Sequence, residues 1–287
     1  MKLLFGGVRG SNSRSGAAYS RFGGDTTSFA LIGAAGEPVV FDLGSGVQAV
    51  NHWLPSGTTQ RSLLVLFTHY HLDHVMGIGG FAPLYDPAWQ IEFAAPLHGK
   101  LGVEQVVTRL LAFPFWPLAV ESLGADSNFR NLPTEPVADG DFASHAFGGL
   151  LIRHCPVHHP DGCSAYRVDE PATGGSVIIA TDMEWRRSHR DEQASFLALC
   201  RAGSPVQTLV MDGQFAASEY EAHTGWGHSS LDDAAAIARE VGAARLLITH
   251  HSPENDDDRL TELEAELQAA FPNAALIRQG MELTIGA

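Results

Sequence analysis

The sequence predicts an α/β fold in which buried strands feed one active-site crevice. Three observations carry that expectation. Five short apolar runs each end on a polar residue able to do chemistry, and helical patterns are readable among the later runs. A chain of 287 residues with 45% hydrophobic content can also bury a large core. No proline-rich or serine-rich linker divides it and no internal repeat is visible, so residues 1–287 are expected to form a single domain.

In chain order, Val39-Val40-Phe41 ends at Asp42, and Ser62 to Thr68 ends at His69. Leu101 to Leu111 reads as helical, and Phe113-Pro114-Phe115-Trp116-Pro117 then breaks the pattern with three bulky rings. Those rings are expected either to pack or to wall a substrate pocket. Val177 to Thr181 ends at Asp182, Thr208 to Met211 at Asp212, and Leu246 to Thr249 at His250. In open α/β sheets ligands gather beyond the carboxyl ends of strands, so these termini are expected to converge. Ser230 with Asp233 three residues later suits a helix cap before Leu231 to Val241, which stops at Gly242. Leu260, Leu263, Leu267 and Phe271 recur at helical spacing before Pro272 and are expected to face the core.

Composition narrows the functional classes. The stretch from Met1 to Arg9 has neither the apolar core nor the cleavage site of a signal peptide, and no apolar run approaches the roughly 18 residues of a membrane helix. Cys155, Cys163 and Cys200 are an odd number without a C-x-x-C pair, which points to a reducing compartment, the cytoplasm by default. No membrane partner is expected, and a homodimer is admitted. The formal charge of −15 opposes a long nucleic acid, because such partners are held by lysine and arginine. A small phosphorylated substrate is not opposed, since bound metal ions would make the site locally positive.

The 14 histidines fall largely in clusters. In Thr68-His69-Tyr70-His71-Leu72-Asp73-His74, four potential metal ligands lie within six positions just after an apolar run. Imidazole nitrogen and carboxylate oxygen suit zinc, with manganese and iron as alternatives, and a turn lets successive donors reach different ions. One segment cannot complete two coordination spheres. Further ligands are expected from the pair His158-His159, from Asp182, and from the pair His250-His251.

His69, His71, Asp73 and His74 match the H-x-H-x-D-H motif, and here the sequence resembles the metallo-β-lactamase superfamily over nearly its whole length. Within it, the chain is most similar to the branch holding tRNase Z, the cyclic-nucleotide phosphodiesterases and the phosphodiesterase of phosphonate breakdown. Gly7-Val8-Arg9-Gly10-Ser11, Phe22-Gly23-Gly24-Asp25-Thr26-Thr27, Phe41-Asp42-Leu43-Gly44-Ser45-Gly46 and Gly227-His228-Ser229-Ser230 carry that likeness. Asp25 and Thr27 stand where many relatives carry asparagine and serine, and Ser13 replaces a frequent proline; these departures touch the N-terminal loop, not the ligands.

The resemblance implies a four-layered αβ/βα sandwich. It implies one metal on His69, His71 and His159 and another on Asp73, His74 and His250, with Asp182 bridging, and with His158 and His251 either supporting a ligand or lying at the surface. It also implies two catalytic residues: Asp73, which would ligate and orient the nucleophile, and His228, which would protonate the leaving group. Asp42 would hydrogen-bond a ligand histidine. His223 and Trp226 lie near His228 and are candidates for substrate contact.

Two metals about 3.5–4 Å apart suit in-line attack on a phosphodiester. The leading expectation is therefore a dinuclear metal-dependent hydrolase of a small phosphodiester, with a cyclic nucleotide or cyclic phosphate as the candidate form. Hydrolysis of a carboxylic ester, thioester or lactone is the second reading, because the same activated water attacks carbonyl carbon. A non-catalytic metal sensor or pathway partner is the third. A redox di-iron role is disfavoured by His71, where such relatives carry glutamate.

Overall fold

Alternate residues along a strand face opposite sides of a sheet, and here both sides are apolar. In the first sheet, Leu3 and Phe5 of β1 (Lys2–Gly7), Phe29 and Leu31 of β2 (Ser28–Ile32), Val39 and Phe41 of β3 (Pro38–Phe41), and Leu64 and Leu66 of β4 (Arg61–Leu66) point into one core. Their neighbours Leu4, Ala30, Val40, Leu63 and Val65 point into another. The computed structural model describes residues 1–54, 61–133 and 142–286.

Three further strands complete that sheet: β5 (Trp89–Pro96), β6 (Asp126–Leu132) and β14 (Glu282–Thr284). Its order is β14-β1-β2-β3-β4-β5-β6, with β3 to β6 parallel. The second sheet has seven strands as well. They are β7 (His145–Phe147), β8 (Leu150–Val157), β9 (Cys163–Glu170), β10 (Gly175–Ala180), β11 (Thr208–Asp212), β12 (Leu246–Thr249) and β13 (Ala274–Leu276). Their order is β13-β12-β11-β10-β9-β8-β7, parallel from β10 to β13.

The inner core joins the sheets: Leu3, Phe29, Phe41 and Leu66 pack with Tyr166, Val168, Ile179, Val210 and Leu247. Outside the first sheet lie α1 (Val47–Trp53) and α3 (Val103–Leu110), with Val47, Val50, Val103 and Val107 buried against it. Outside the second lie α4 (Arg190–Arg201), α5 (Leu231–Glu240) and α6 (Asp257–Ala270), which contribute Phe196, Leu199, Ile237, Leu260, Leu263 and Leu267. The result is the expected four-layered sandwich of helix, sheet, sheet and helix. None of the described helices is long and apolar enough to cross a membrane.

Local chemistry explains the boundaries. Ser230 Oγ accepts from the Asp233 amide at 3.3 Å, and an Asp233 carboxylate oxygen accepts from the Ser230 amide at 3.2 Å, so α5 begins with a reciprocal cap. The helix expected from Leu101 starts at Val103, because the amide of Gly102 is tied to Gln105 Oε1 at 3.1 Å. Phe271 lies just beyond α6 and is only partly buried, unlike the three leucines before it. The aromatic break divides in two: Trp116 packs on Gly79, while Phe113 is 92% and Phe115 73% exposed. Cys155, Cys163 and Cys200 are buried and unpaired.

Candidate metal centre

Strands of both sheets end at one place. β4 stops at Leu66, and the chain leaves the sheet to present His69 and His71, followed by Asp73 and His74 on a single helical turn, α2 (Leu72–Val75). His159 follows β8, Asp182 follows β10, and His250 follows β12. Residues far apart in sequence thus meet at the strand ends, as the apolar runs predict.

Asp182 occupies the middle. Its Oδ2 lies 3.8 Å from His69 Nε2, 3.8 Å from His159 Nε2 and 3.1 Å from His250 Nε2; its Oδ1 lies 3.2 Å from His74 Nε2. On one side His159 Nε2 is 3.1 Å from His71 Nδ1. On the other, Asp73 Oδ2 is 3.4 Å from His74 Nε2 and 3.2 Å from His250 Nε2. Donors about 2.0–2.2 Å from a tetrahedral zinc are separated by about 3.4 Å, so these spacings fit coordination.

Two further observations test the fit. His69 Nε2 and Asp182 Oδ1 are buried without a hydrogen-bond partner, although buried polar atoms are ordinarily satisfied. Charge is arranged to match. Burial alone would raise the Asp182 carboxyl, but His250, His74 and His69 outweigh it and hold the group well below the usual carboxylate range. Asp73, opposed by burial and favoured by His74 and His250, is held below that range too. Burial pushes His69 well down and His159 down to about 4, whereas at His74 and His250 the carboxylates of Asp182 and Asp73 outweigh burial and push the rings up, so this half of the site already balances its negative charge with positive charge. Buried carboxylates ringed by imidazoles form a site for cations.

The backbone is bent to build it. Ser11, Asp42 and His250 have φ of 59°, 57° and 58°, in a region non-glycine residues rarely enter. Ser11 thereby donates its amide to Asp73 Oδ2 at 2.7 Å. A Cβ on Gly10 would stand 2.3 Å from the His250 ring, so glycine is required there.

Outer hydrogen bonds fix the rings. His74 Nδ1 donates to Asp42 Oδ2 at 2.8 Å, and Thr68 donates to both Asp42 oxygens, from its amide at 2.7 Å and its hydroxyl at 2.8 Å. His159 Nδ1 donates to the Gly227 carbonyl at 2.8 Å. Each bond turns Nε2 toward Asp182. Asp42→Asn, which tolerates the left-handed backbone, would set an amide NH₂ opposite His74 Nδ1 and move the ring proton to Nε2. Metal affinity should fall roughly 10–100-fold. Competition against a chromogenic chelator measures this; unchanged affinity would show that Asp42 does not set the tautomer.

His228 stands beside the cluster on the loop before α5. Its ring stacks on His250 at 4.7 Å and tilts against His159 at 5.2 Å. His228 Nδ1 donates to Asp212 Oδ2 at 2.9 Å, the same pairing that Asp42 makes with His74. Asp212 ends β11 and accepts from the Gln214 amide at 3.0 Å and the Met183 amide at 3.1 Å. Its partnership with His228 has no signature in the sequence beyond its place at the end of an apolar run, which it shares with Asp42. Glu184 carried no signal. Buried among polar groups, it accepts from Tyr220 Oη at 2.9 Å, the Gly225 amide at 2.7 Å and the Gly227 amide at 2.9 Å, and so fixes the loop that carries His228.

The remaining histidines separate from the cluster. His158 turns to Glu192, with Nδ1 3.3 Å from its carboxylate. His251 departs from expectation: it is neither a surface residue nor a partner of a ligand. It is 1% exposed, donates Nε2–H to the Ile277 carbonyl at 2.8 Å, and is pushed down to about 3 by burial. His223 stacks on Phe215 at 4.3 Å, with Nδ1 bonded to the Glu219 carbonyl, so it buttresses the loop.

Residues 39–251 match the family pattern described as the Beta-lactamase superfamily domain. A ribonuclease Z of Bradyrhizobium diazoefficiens is 28% identical over 287 residues, covering 86% of this chain and 89% of the relative. The crystal structure of human tRNase Z, short form, superposes with a TM-score of 0.71 at 18% identity, over 100% of both chains. A diphosphatase from the PhnP family superposes with a TM-score of 0.68 at 20% identity, over 100% of this chain and 98% of the other. A match to most of the chain, a shared sandwich and a ring of buried histidines and aspartates agree: the chain belongs to the beta-lactamase superfamily and is a metal-dependent hydrolase of the metallo-β-lactamase fold.

Proposed function

We propose that the chain, folded as one domain over residues 1–287, holds two divalent ions, zinc by ligand type, and hydrolyses a small phosphodiester. The observation that carries this reading is the central Asp182 carboxylate, shared between His69 and His159 on one side and His74 and His250 on the other. His69, His71 and His159 would hold one ion, Asp73, His74 and His250 the other. Cations held there would supply Lewis acidity, acidifying water and neutralising charge on a phosphoryl group.

The chain's own groups do the rest. Asp73, held by the Ser11 amide, orients the attacking water as its acceptor. His228, aimed by Asp212, delivers a proton from Nε2 to the departing oxygen. Relatives named ribonuclease Z and a structural neighbour named a diphosphatase favour phosphorus over carbonyl carbon as the centre attacked. The charge of −15 favours a small substrate over a long nucleic acid.

Elemental analysis of gently purified protein should find about two equivalents of metal per chain. A panel of small phosphodiesters, carboxylic esters, thioesters and lactones should show turnover of the diesters first. Preference for a carbonyl substrate would overturn the substrate class, and a metal content near zero, unrestored by zinc or manganese, would overturn the centre itself.

A further inference from the structure

Trp226 is 62% exposed, and among the described residues its indole has one ring neighbour, His223, which meets it edge-on at 4.9 Å. An exposed tryptophan is usually mobile or covered by a partner; this one is fixed from below. It is flanked by Gly225 and Gly227, at φ of 90° and 93°, and the amides of both donate to the buried Glu184 carboxylate. Its own amide donates to the His223 carbonyl at 3.0 Å. Behind it, His223 lies nearly parallel to Phe215 at 4.3 Å, and Phe215 in turn meets the His228 ring at 6.1 Å. A row of rings thus runs from the rim to the proton donor.

The position is as informative as the rigidity. Trp226 is two residues before His228, so their Cα atoms are at most about 7.6 Å apart. The residue between them, Gly227, supplies the carbonyl that orients His159. A phosphoryl group at Asp182 with its leaving oxygen toward His228 would therefore project the rest of its leaving group along this loop. A flat ring there would gain a face to stack on, without the entropy cost of ordering the indole.

We infer that Trp226 is a stacking platform for a planar aromatic leaving group, which makes it a specificity-determining residue of the phosphodiester site. The inference rests on the phosphodiester reading above and names the substrate's chemistry on one side of the scissile bond. Glu184 is the positioning residue that holds the platform in place.

Benzylphosphonate and cyclohexylmethylphosphonate test it by calorimetric titration of the metal-loaded protein. Both mimic a phosphate ester without being cleavable, and they match in charge and reach; only one carries a flat π face. Benzylphosphonate should bind at least about fivefold more tightly. Trp226→Leu should abolish that preference while leaving cyclohexylmethylphosphonate within about twofold, and Trp226→Phe should restore most of it. Absence of a preference in the unaltered protein, or its survival in Trp226→Leu, overturns the platform while leaving the phosphodiester site intact. Equal weakening of both ligands by Trp226→Leu also overturns it, since the indole would then merely support the loop. If neither phosphonate nor inorganic phosphate binds, the phosphodiester reading itself fails and takes the platform with it.

Discussion

Asp182→Ala should strip at least one metal ion and lower kcat/KM on the order of 10⁴-fold or more, the largest effect expected of any single substitution. The carboxylate is within 3.8 Å of four histidine Nε2 atoms, and no other acidic group among the described residues reaches both halves of the site. Of the ligand histidines among the described residues, Asp73 pairs only with His74 and His250. Its removal would leave neutral or positive imidazoles crowded around the space a dication must enter. Elemental analysis and chelator-dependent melting check this together: the unaltered protein should lose melting temperature when its metal is withdrawn, and Asp182→Ala should respond far less. Two retained equivalents with activity within tenfold of normal would remove Asp182 from the centre.

His228→Ala should lower turnover by roughly 10²–10⁴-fold without loss of metal, because the ring stands beside the ligand set rather than within it. The loss should be smaller for a nitrophenyl ester, whose anion departs without help, than for an alkyl ester. Asp212→Asn should show the same leaving-group dependence more weakly, since it keeps the His228 ring in place and disturbs its tautomer, along with one backbone amide that the carboxylate accepts from. An equal loss on both esters would reassign His228 to stabilising phosphoryl charge. Loss of one metal would place His228 among the ligands, a role its proximity to His159 and Asp182 makes geometrically available.

Much of this architecture is legible before any coordinate is seen, and for a physical reason. A buried parallel strand must be almost wholly apolar, so the first ionisable residue at its end marks where backbone leaves the core; Asp42, His69, Asp182, Asp212 and His250 all stand at such points. The H-x-H-x-D-H segment is legible because one turn packs four donors together. Short edge strands are another matter. β13 and β14 have three residues each, too few for a periodic signal, and are specified by pairing with β12 and β1. Glu184 is illegible for a related reason: its three donors come from residues 36 to 43 positions away, and no local spacing announces them. His251 misled because adjacency to a ligand says nothing about direction; with His250 in a left-handed conformation, the next side chain turns into the core beside Phe22.

The assembly of one centre from both sheets has a consequence for the nascent chain. His74 and His250, whose Nε2 atoms lie 3.4 Å apart, are separated by 176 residues. At about 5–20 residues per second, a ribosome needs roughly 10–35 s to supply the second after the first. During that interval the early donors have neither Asp182 nor the last histidine beside them. A metal ion held by residues of both sheets would therefore meet a finished pocket only after His250 has emerged, which would make its acquisition a late event in the folding of this domain.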